Sequence, residues 1–98
     1  VLRGWAVQIL DNPFEIESRG YQSYTVLSVC RILYTYQCGD VVSKLRAARW
    51  AKESLDKRWG GLIDRAWEGR HGPQGKAEAE DINETLDFIR YAQRLSNS

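Results

Sequence analysis

Two basic residues, Arg31 and Lys44, occupy positions in the sequence from which a cationic side chain could bind an anion. Arg31 interrupts the apolar run from Val29 to Leu33. A guanidinium in such a run must be paired or must reach a cavity, because an unpaired buried charge is very costly. Lys44 directly follows Ser43, a residue type that caps helices. The first turn of a helix attracts anions through its free amides and its dipole, so Lys44 is a candidate anion contact.

Each of these residues has two interpretations. Arg31 can form a structural ion pair with an acidic residue such as Glu15 or Asp40. Alternatively it faces a cleft and binds an anion, because its forked guanidinium matches phosphate oxygens. Lys44 can be an ordinary solvated lysine or a phosphate contact. The residues alone leave these alternatives open.

No catalytic or metal-binding set accompanies these cations. The sequence contains no Walker-type Gly-rich loop and no Asp-x-Asp pair suited to magnesium. Cys30 and Cys38 would lie about 12 Å apart along one helix, which is too far for a disulfide. We therefore predict free thiols in a reducing cytoplasm. His71 is the only histidine, so a zinc-type cluster is not expected.

Composition indicates one ordinary folded domain over residues 1–98. Hydrophobic residues make up 43% and charged residues 28% of the chain, as in typical globular proteins. The formal net charge of +1 argues against a nucleic-acid partner, because binders of this size carry a strong basic excess. No apolar run is long enough to span a bilayer.

Hydrophobic periodicity predicts an all-α fold, a compact bundle of about five helices. The most apolar stretch, 21–37, is predicted as a buried central helix that ends at a left-handed Gly39. Its β-branched and aromatic content leaves a pair of strands as the alternative. The other helices are expected at 1–10, from Ser43 onward, from Asp56 onward and at 76–95, with a mobile loop at 69–75.

The same periodicity assigns inward faces to the shorter helices. In the helix that begins after Ser43 these residues are Leu45, Ala48, Ala51 and Leu55. In the last helix they are Ala79, Ile82, Leu86, Ile89 and Ala92 or Gln93. Gly60 and Gly61 weaken the fourth helix by about 1 kcal/mol each relative to alanine. This weakness indicates a close helix–helix approach or a break.

Several short pieces of the chain occur together in one known family. They are the run YTVLSVCRILY at 24–34, Gly39, VSK at 42–44, AARWA at 47–51, and Leu55 with Trp59. Their combination and spacing resemble the C-terminal domain of the bacterial streptomycin/spectinomycin adenylyltransferases, whose pattern reads roughly VLxxCRxLY, G, SK and AxxWA. The similarity is continuous from Tyr24 to Ala66 and weaker in the flanks.

The resemblance implies one part of a two-domain aminoglycoside nucleotidyltransferase-like protein. An N-terminal nucleotidyltransferase domain of the same chain would supply the catalytic residues and the Mg²⁺ ions, and would transfer AMP from ATP to a hydroxyl of a small-molecule acceptor. By resemblance, Arg31 and Lys44 occupy positions that contact the nucleotide phosphates. Arg70 is a further expected nucleotide contact, at a position where the family uses an aromatic residue, with Trp67 close by.

The acceptor side departs from the family pattern. Aminoglycosides are polycations, so a site that binds them should contain carboxylates. The resistance enzymes have an acidic residue just before the VLxxCR helix, where this chain has Tyr21, and Tyr24 occupies the next substrate-contacting position. The resemblance thus implies Tyr21 and Tyr24 as substrate-binding residues. The fragment alone is expected to be inactive and to need no cofactor, and the alternative function is a non-catalytic helical interaction module without a ligand.

Overall fold

The computed structural model describes residues 9–11, 16–72 and 74–97. Four helices account for most of this part of the chain: α1 (Arg19–Cys38), α2 (Lys44–Ser54), α3 (Gly60–His71) and α4 (Ala79–Asn97). A 3₁₀ turn, Lys57–Trp59, leads into α3. Residues 9–11 are also helical, and residues 1–8 of the predicted first helix lie outside the described residues. The all-α prediction is confirmed.

Helix α1 is the centre of the bundle and packs against the other three helices. Its start is set by Ser18, whose hydroxyl accepts a hydrogen bond from the Tyr21 amide at 3.2 Å. It ends where predicted, at Gly39, whose φ of 74° is left-handed and whose amide donates to the Thr35 carbonyl. Glycine is favoured there because a side chain would be strained at positive φ. The alternative of two strands over 21–37 is wrong.

Helix α2 lies against α1 through small residues. Ala47, Ala48 and Ala51 are all buried, and alanine permits a close approach because it carries only a methyl group. Ser43 caps the helix as predicted and accepts from the Arg46 amide at 3.2 Å. Leu45 was expected to face inward and is instead 38% exposed.

Asp56 caps the 3₁₀ turn that precedes α3, rather than capping an α-helix directly. Its carboxylate accepts a hydrogen bond from the Arg58 amide at 3.0 Å. The turn buries Trp59 against Phe88 and Tyr91, with ring centroids 5.1 and 5.3 Å apart. The predicted weak point coincides with Gly60, where the 3₁₀ turn gives way to the α-helix.

Two predicted boundaries near residue 75 are wrong. Gly69 was assigned to a mobile loop, but it is buried inside α3. The last helix begins at Ala79 and not at Lys76, because Lys76 forms an isolated antiparallel bridge with Ser18. The neighbouring Ala77 amide donates to the Glu17 carbonyl at 2.8 Å. Ala79, which was expected to face inward, is exposed.

One hydrophobic core runs through the described part of the chain. It is formed by residues that are at most 7% exposed: Ile9, Ile16, Val26, Leu27, Val29, Cys30, Leu33, Ala47, Ala48, Ala51, Leu55, Trp59, Leu62, Ile63, Ala66, Phe88, Ile89 and Ala92. Among the described residues, no helix is both long enough and apolar enough to cross a bilayer.

Candidate functional site

Lys44 is the first residue of α2, and its side chain reaches back onto α1. The ammonium Nζ lies 4.2 Å from the centroid of the Tyr24 ring. A cation over an aromatic face is stabilised by about 0.5–1 kcal/mol when solvent-exposed. The non-helical residues 39–43 connect the two helices, and in this segment the Asp40 carboxylate accepts a hydrogen bond from the adjacent Val41 amide at 2.8 Å. The Lys44 ammonium is therefore in contact with the Tyr24 ring.

Tyr21 and Tyr24 form an aromatic pair beside this cation. Their ring centroids are 5.7 Å apart and the rings are tilted by 45°. Tyr24 remains 48% exposed, so its ring and hydroxyl are available to a ligand as well as to Lys44. The structure thus brings together both predicted acceptor residues and one predicted phosphate contact.

Arg31 belongs to the same face of α1. It follows Tyr24 by seven positions, which is two helical turns, so the two side chains leave the helix in nearly the same direction about 10 Å apart along its axis. We call the surface formed by Tyr21, Tyr24, Arg31 and Lys44 the cationic face.

The Arg31 side chain is half-buried and has no ion-pair partner among the described residues. The alternative of a structural pair with Asp40 is wrong, because no ion pair joins these two described residues. Glu15, the other partner considered, lies outside the described residues. A partly desolvated guanidinium that has no ion-pair partner in the described structure is well suited to bind an anion.

Arg70 lies on a different helix from the cationic face. It is exposed near the end of α3, with its guanidinium carbon 5.2 Å from the centroid of the Trp67 ring. Trp67 also meets His71 edge to face at 5.0 Å. Within the described ranges, no hydrogen bond, ion pair or ring contact joins Arg70 to Tyr24, Arg31 or Lys44, so its assignment as a nucleotide contact stays a prediction.

The sequence of the chain was compared with models of known protein families. A family model described as the C-terminal domain of aminoglycoside adenylyltransferase matches residues 8–94. The chain belongs to this family. The match includes every element that forms the cationic face of this adenylyltransferase C-terminal domain. Neither a curated protein nor a solved structure matches the chain.

The described part of this domain contains no group of side chains that could hold a metal ion. In the ranges that the structure describes, no three His, Cys, Asp or Glu side chains lie close enough together to hold one. Both cysteines are free thiols, as predicted. Burial raises the pKa of Cys30 to about 12, although a backbone hydrogen bond lowers it in part. Cys30 is therefore a core residue and not a nucleophile.

Sequence reasoning missed a second charged cluster, centred on Arg65 of α3. Its guanidinium bonds Asp81 at 2.7 Å and Glu84 at 3.0 Å on α4. Partial burial lowers the pKa of Arg65, but the hydrogen bonds and charges of the two carboxylates outweigh this effect, and the pKa is raised. Arg65 lies on α3, whereas Asp81 and Glu84 lie on α4. The cluster therefore forms only when the two helices pack together, and no local sequence pattern predicts it.

Proposed function

We propose that this domain packs against a nucleotidyltransferase domain of the same protein and binds the phosphates of ATP with Arg31 and Lys44. The observation that carries the proposal is the cationic face, where two cations without a carboxylate partner in the described structure stand on one side of α1. The first amides of α2 add their positive dipole at Lys44. Phosphate oxygens form strong charge-assisted hydrogen bonds with such cations.

The reaction we propose for the whole protein is transfer of AMP to an acceptor hydroxyl. The hydroxyl oxygen attacks the α-phosphorus of ATP while the bond to the β-phosphate oxygen breaks. Pyrophosphate leaves, and the hydroxyl proton passes to a base of the other domain. Arg31 and Lys44 would hold the charged phosphates in line, Arg70 would be a further nucleotide contact, and Tyr21 and Tyr24 would line the acceptor.

Bound Mg²⁺ would neutralise phosphate charge in this reaction. Since the described residues offer no metal cluster, we assign its ligands to the partner domain. A cytoplasmic location is part of the same proposal, because ATP is an intracellular donor and both cysteines are free. The non-catalytic interaction module remains the alternative. Its structural ion pair of Arg31 has no partner among the described residues, and Glu15 lies outside them.

Kinetics of Arg31→Ala and Lys44→Ala in the two-domain protein test the proposal. Loss of a charge-assisted hydrogen bond costs about 1.5–3 kcal/mol, so each change should raise the KM for ATP or lower kcat by roughly tenfold to hundredfold. Arg49→Ala is the matched control. It removes an exposed arginine of α2 that points about 140° away from Lys44 around the helix, and kinetics should be unchanged.

Thermal unfolding of Arg31→Ala separates this proposal from a structural role. An arginine that faces a cleft contributes little to the free energy of unfolding, so the melting temperature should hardly change. Breaking a buried ion pair would cost about 3–5 kcal/mol. A drop of that size would show that Arg31 is structural and would remove it from the proposed phosphate site.

A further inference from the structure

The Lys44 ammonium is in contact with an aromatic ring and not with a carboxylate. No ion pair among the described residues includes Lys44, whereas its Nζ lies 4.2 Å from the centroid of the Tyr24 ring. A lysine side chain is long and flexible, and it loses much rotamer freedom when its ammonium is confined to one place. The Tyr24 ring is therefore the group that can restrict where this ammonium lies.

The Tyr24 ring is itself supported from the hydrophobic core. Its centroid lies 5.7 Å from the centroid of the Tyr21 ring, with the two planes tilted by 45°. Tyr21 is partly buried and packs against the core. On either side of Tyr24 in the sequence, Ser23 and Thr25 are buried, so the helix backbone that carries the ring is packed into the domain.

The backbone of Lys44 is also packed in place relative to that ring. The Ser43 hydroxyl caps α2 directly before Lys44, and Ala47 is buried one turn later. A second aromatic contact joins the same two helices, because the rings of Tyr34 on α1 and Trp50 on α2 meet edge to face at 5.4 Å. Both ends of the contact between Lys44 and Tyr24 thus belong to packed helices, and the lysine side chain is the flexible part.

An aromatic ring leaves an ammonium able to bind an anion. The ring face attracts the positive charge and covers one side of the group, whereas a lysine ammonium has three N–H donors. A carboxylate in the same place would compete with phosphate oxygens for those donors. Tyr24 can therefore restrict the Lys44 ammonium before an anion arrives, and restriction in advance lowers the ordering cost of binding.

We propose that Tyr24 is a positioning residue for the phosphate site, and that its ring orients the Lys44 ammonium toward the phosphates. The inference rests on the proposed function, because it takes Lys44 as a phosphate contact. It needs only the ring, so phenylalanine should replace Tyr24 and a non-aromatic residue should not. An exposed contact of this kind corresponds to about a two- to fivefold change in affinity.

Two NMR measurements on the isotope-labelled chain test this inference. The first, without ligand, is the chemical shift of the Lys44 Hε protons, which a nearby ring face moves upfield. The second is the dissociation constant of ATP and of tripolyphosphate, obtained from amide shifts around Lys44. Tripolyphosphate has no base or sugar, so it reports on the phosphate contact alone.

Tyr24→Phe retains the ring, and Tyr24→Leu and Tyr24→Gln remove it. Tyr24 is 48% exposed, so these changes leave the core intact, and circular dichroism establishes that each variant is folded. Tyr36→Leu is the matched control. It removes a tyrosine of α1 that is 54% exposed and points about 120° away from Tyr24 around the helix.

We expect upfield Lys44 Hε shifts in wild type, Tyr24→Phe and Tyr36→Leu, and their loss in Tyr24→Leu and Tyr24→Gln. We expect the two non-aromatic variants to bind ATP and tripolyphosphate about two- to fivefold more weakly than wild type. Tyr24→Phe and Tyr36→Leu should bind both ligands with the wild-type affinity.

Wild-type affinity of Tyr24→Leu for both ligands would overturn this inference and leave the proposed phosphate site standing. A loss confined to ATP would also overturn it, because Tyr24 would then contact the nucleoside and not act through Lys44. Lys44 Hε protons without an upfield shift in wild type would have the same consequence. If neither ligand binds to wild type, the proposed function fails, and this inference fails with it.

Discussion

Replacing Gly69 with alanine tests how closely α3 approaches α1. A Cβ built at Gly69 would overlap Ser23 Oγ and would lie 3.2 Å from Arg19 Nε and 3.3 Å from Ser23 Cβ. Rotation of the serine hydroxyl relieves only the first of these contacts. Overpacking of this kind costs about 1–3 kcal/mol, and the better helix propensity of alanine returns up to about 1 kcal/mol.

The net expectation for Gly69→Ala is a loss of about 1 kcal/mol in the free energy of unfolding. This corresponds to a melting temperature lower by about 4–8 °C for a domain of this size. Gly60→Ala is the matched control, because Gly60 is helical and a Cβ there meets nothing within 4 Å. It should stabilise the domain by up to about 1 kcal/mol.

Thermal and urea unfolding of the two variants measures the difference. Ser23→Ala should partly rescue Gly69→Ala, because it removes the Oγ atom, which is buried without a hydrogen-bond partner in the described structure. If Gly69→Ala were as stabilising as Gly60→Ala, the close approach of α3 to α1 would be refuted.

Three further predictions concern the interior. In the native chain at pH 8, Ellman's reagent should titrate Cys38 and reach Cys30 only after unfolding, because Cys30 is buried with a pKa raised to about 12. The unfolded chain releases the Cys30 proton above the ordinary thiol pKa of 9.0, whereas burial raises that pKa to about 12 in the folded chain. The free energy of unfolding should therefore fall as the pH rises above 9.0, and it should fall less in Cys30→Ala. Equal pH dependence in the two proteins would contradict this. Thr85→Val should cost about 1–3 kcal/mol in urea unfolding, because buried Gln22 loses the acceptor of its 2.9 Å hydrogen bond. A second change, Gln22→Leu, should restore much of that loss, and an undiminished loss would count against the bond.

Local signals were sufficient for the framework of the site. Gly39 after an apolar run and Ser43 before Lys44 predicted the end of α1 and the start of α2, because caps depend on residue type and immediate neighbours. The all-α fold followed from the length and periodicity of the apolar stretches. These signals also singled out Arg31 and Lys44 as notable cations, although they left their roles open.

The features that the sequence did not predict depend on contacts between residues that are distant along the chain. Gly69 belongs to a glycine-rich stretch that is typical of a loop, yet it is helical because α3 packs tightly on Ser23. The sequence pattern predicts that Lys76 is helical, but Lys76 instead forms an isolated antiparallel bridge with Ser18. The contact between Lys44 and Tyr24 likewise appears only when α2 is folded back onto α1.

The most direct test of the proposed phosphate site is an ATP titration of the ¹⁵N-labelled chain. We expect weak, salt-sensitive binding, because one or two exposed cationic contacts are each worth about 0–1 kcal/mol. Amide shifts should cluster at Tyr24, Arg31 and Lys44, should be lost in Lys44→Ala and should persist in Arg49→Ala. Shifts confined to the Arg65 cluster, or a response that Lys44→Ala leaves unchanged, would contradict the assignment of the cationic face as the nucleotide-binding surface.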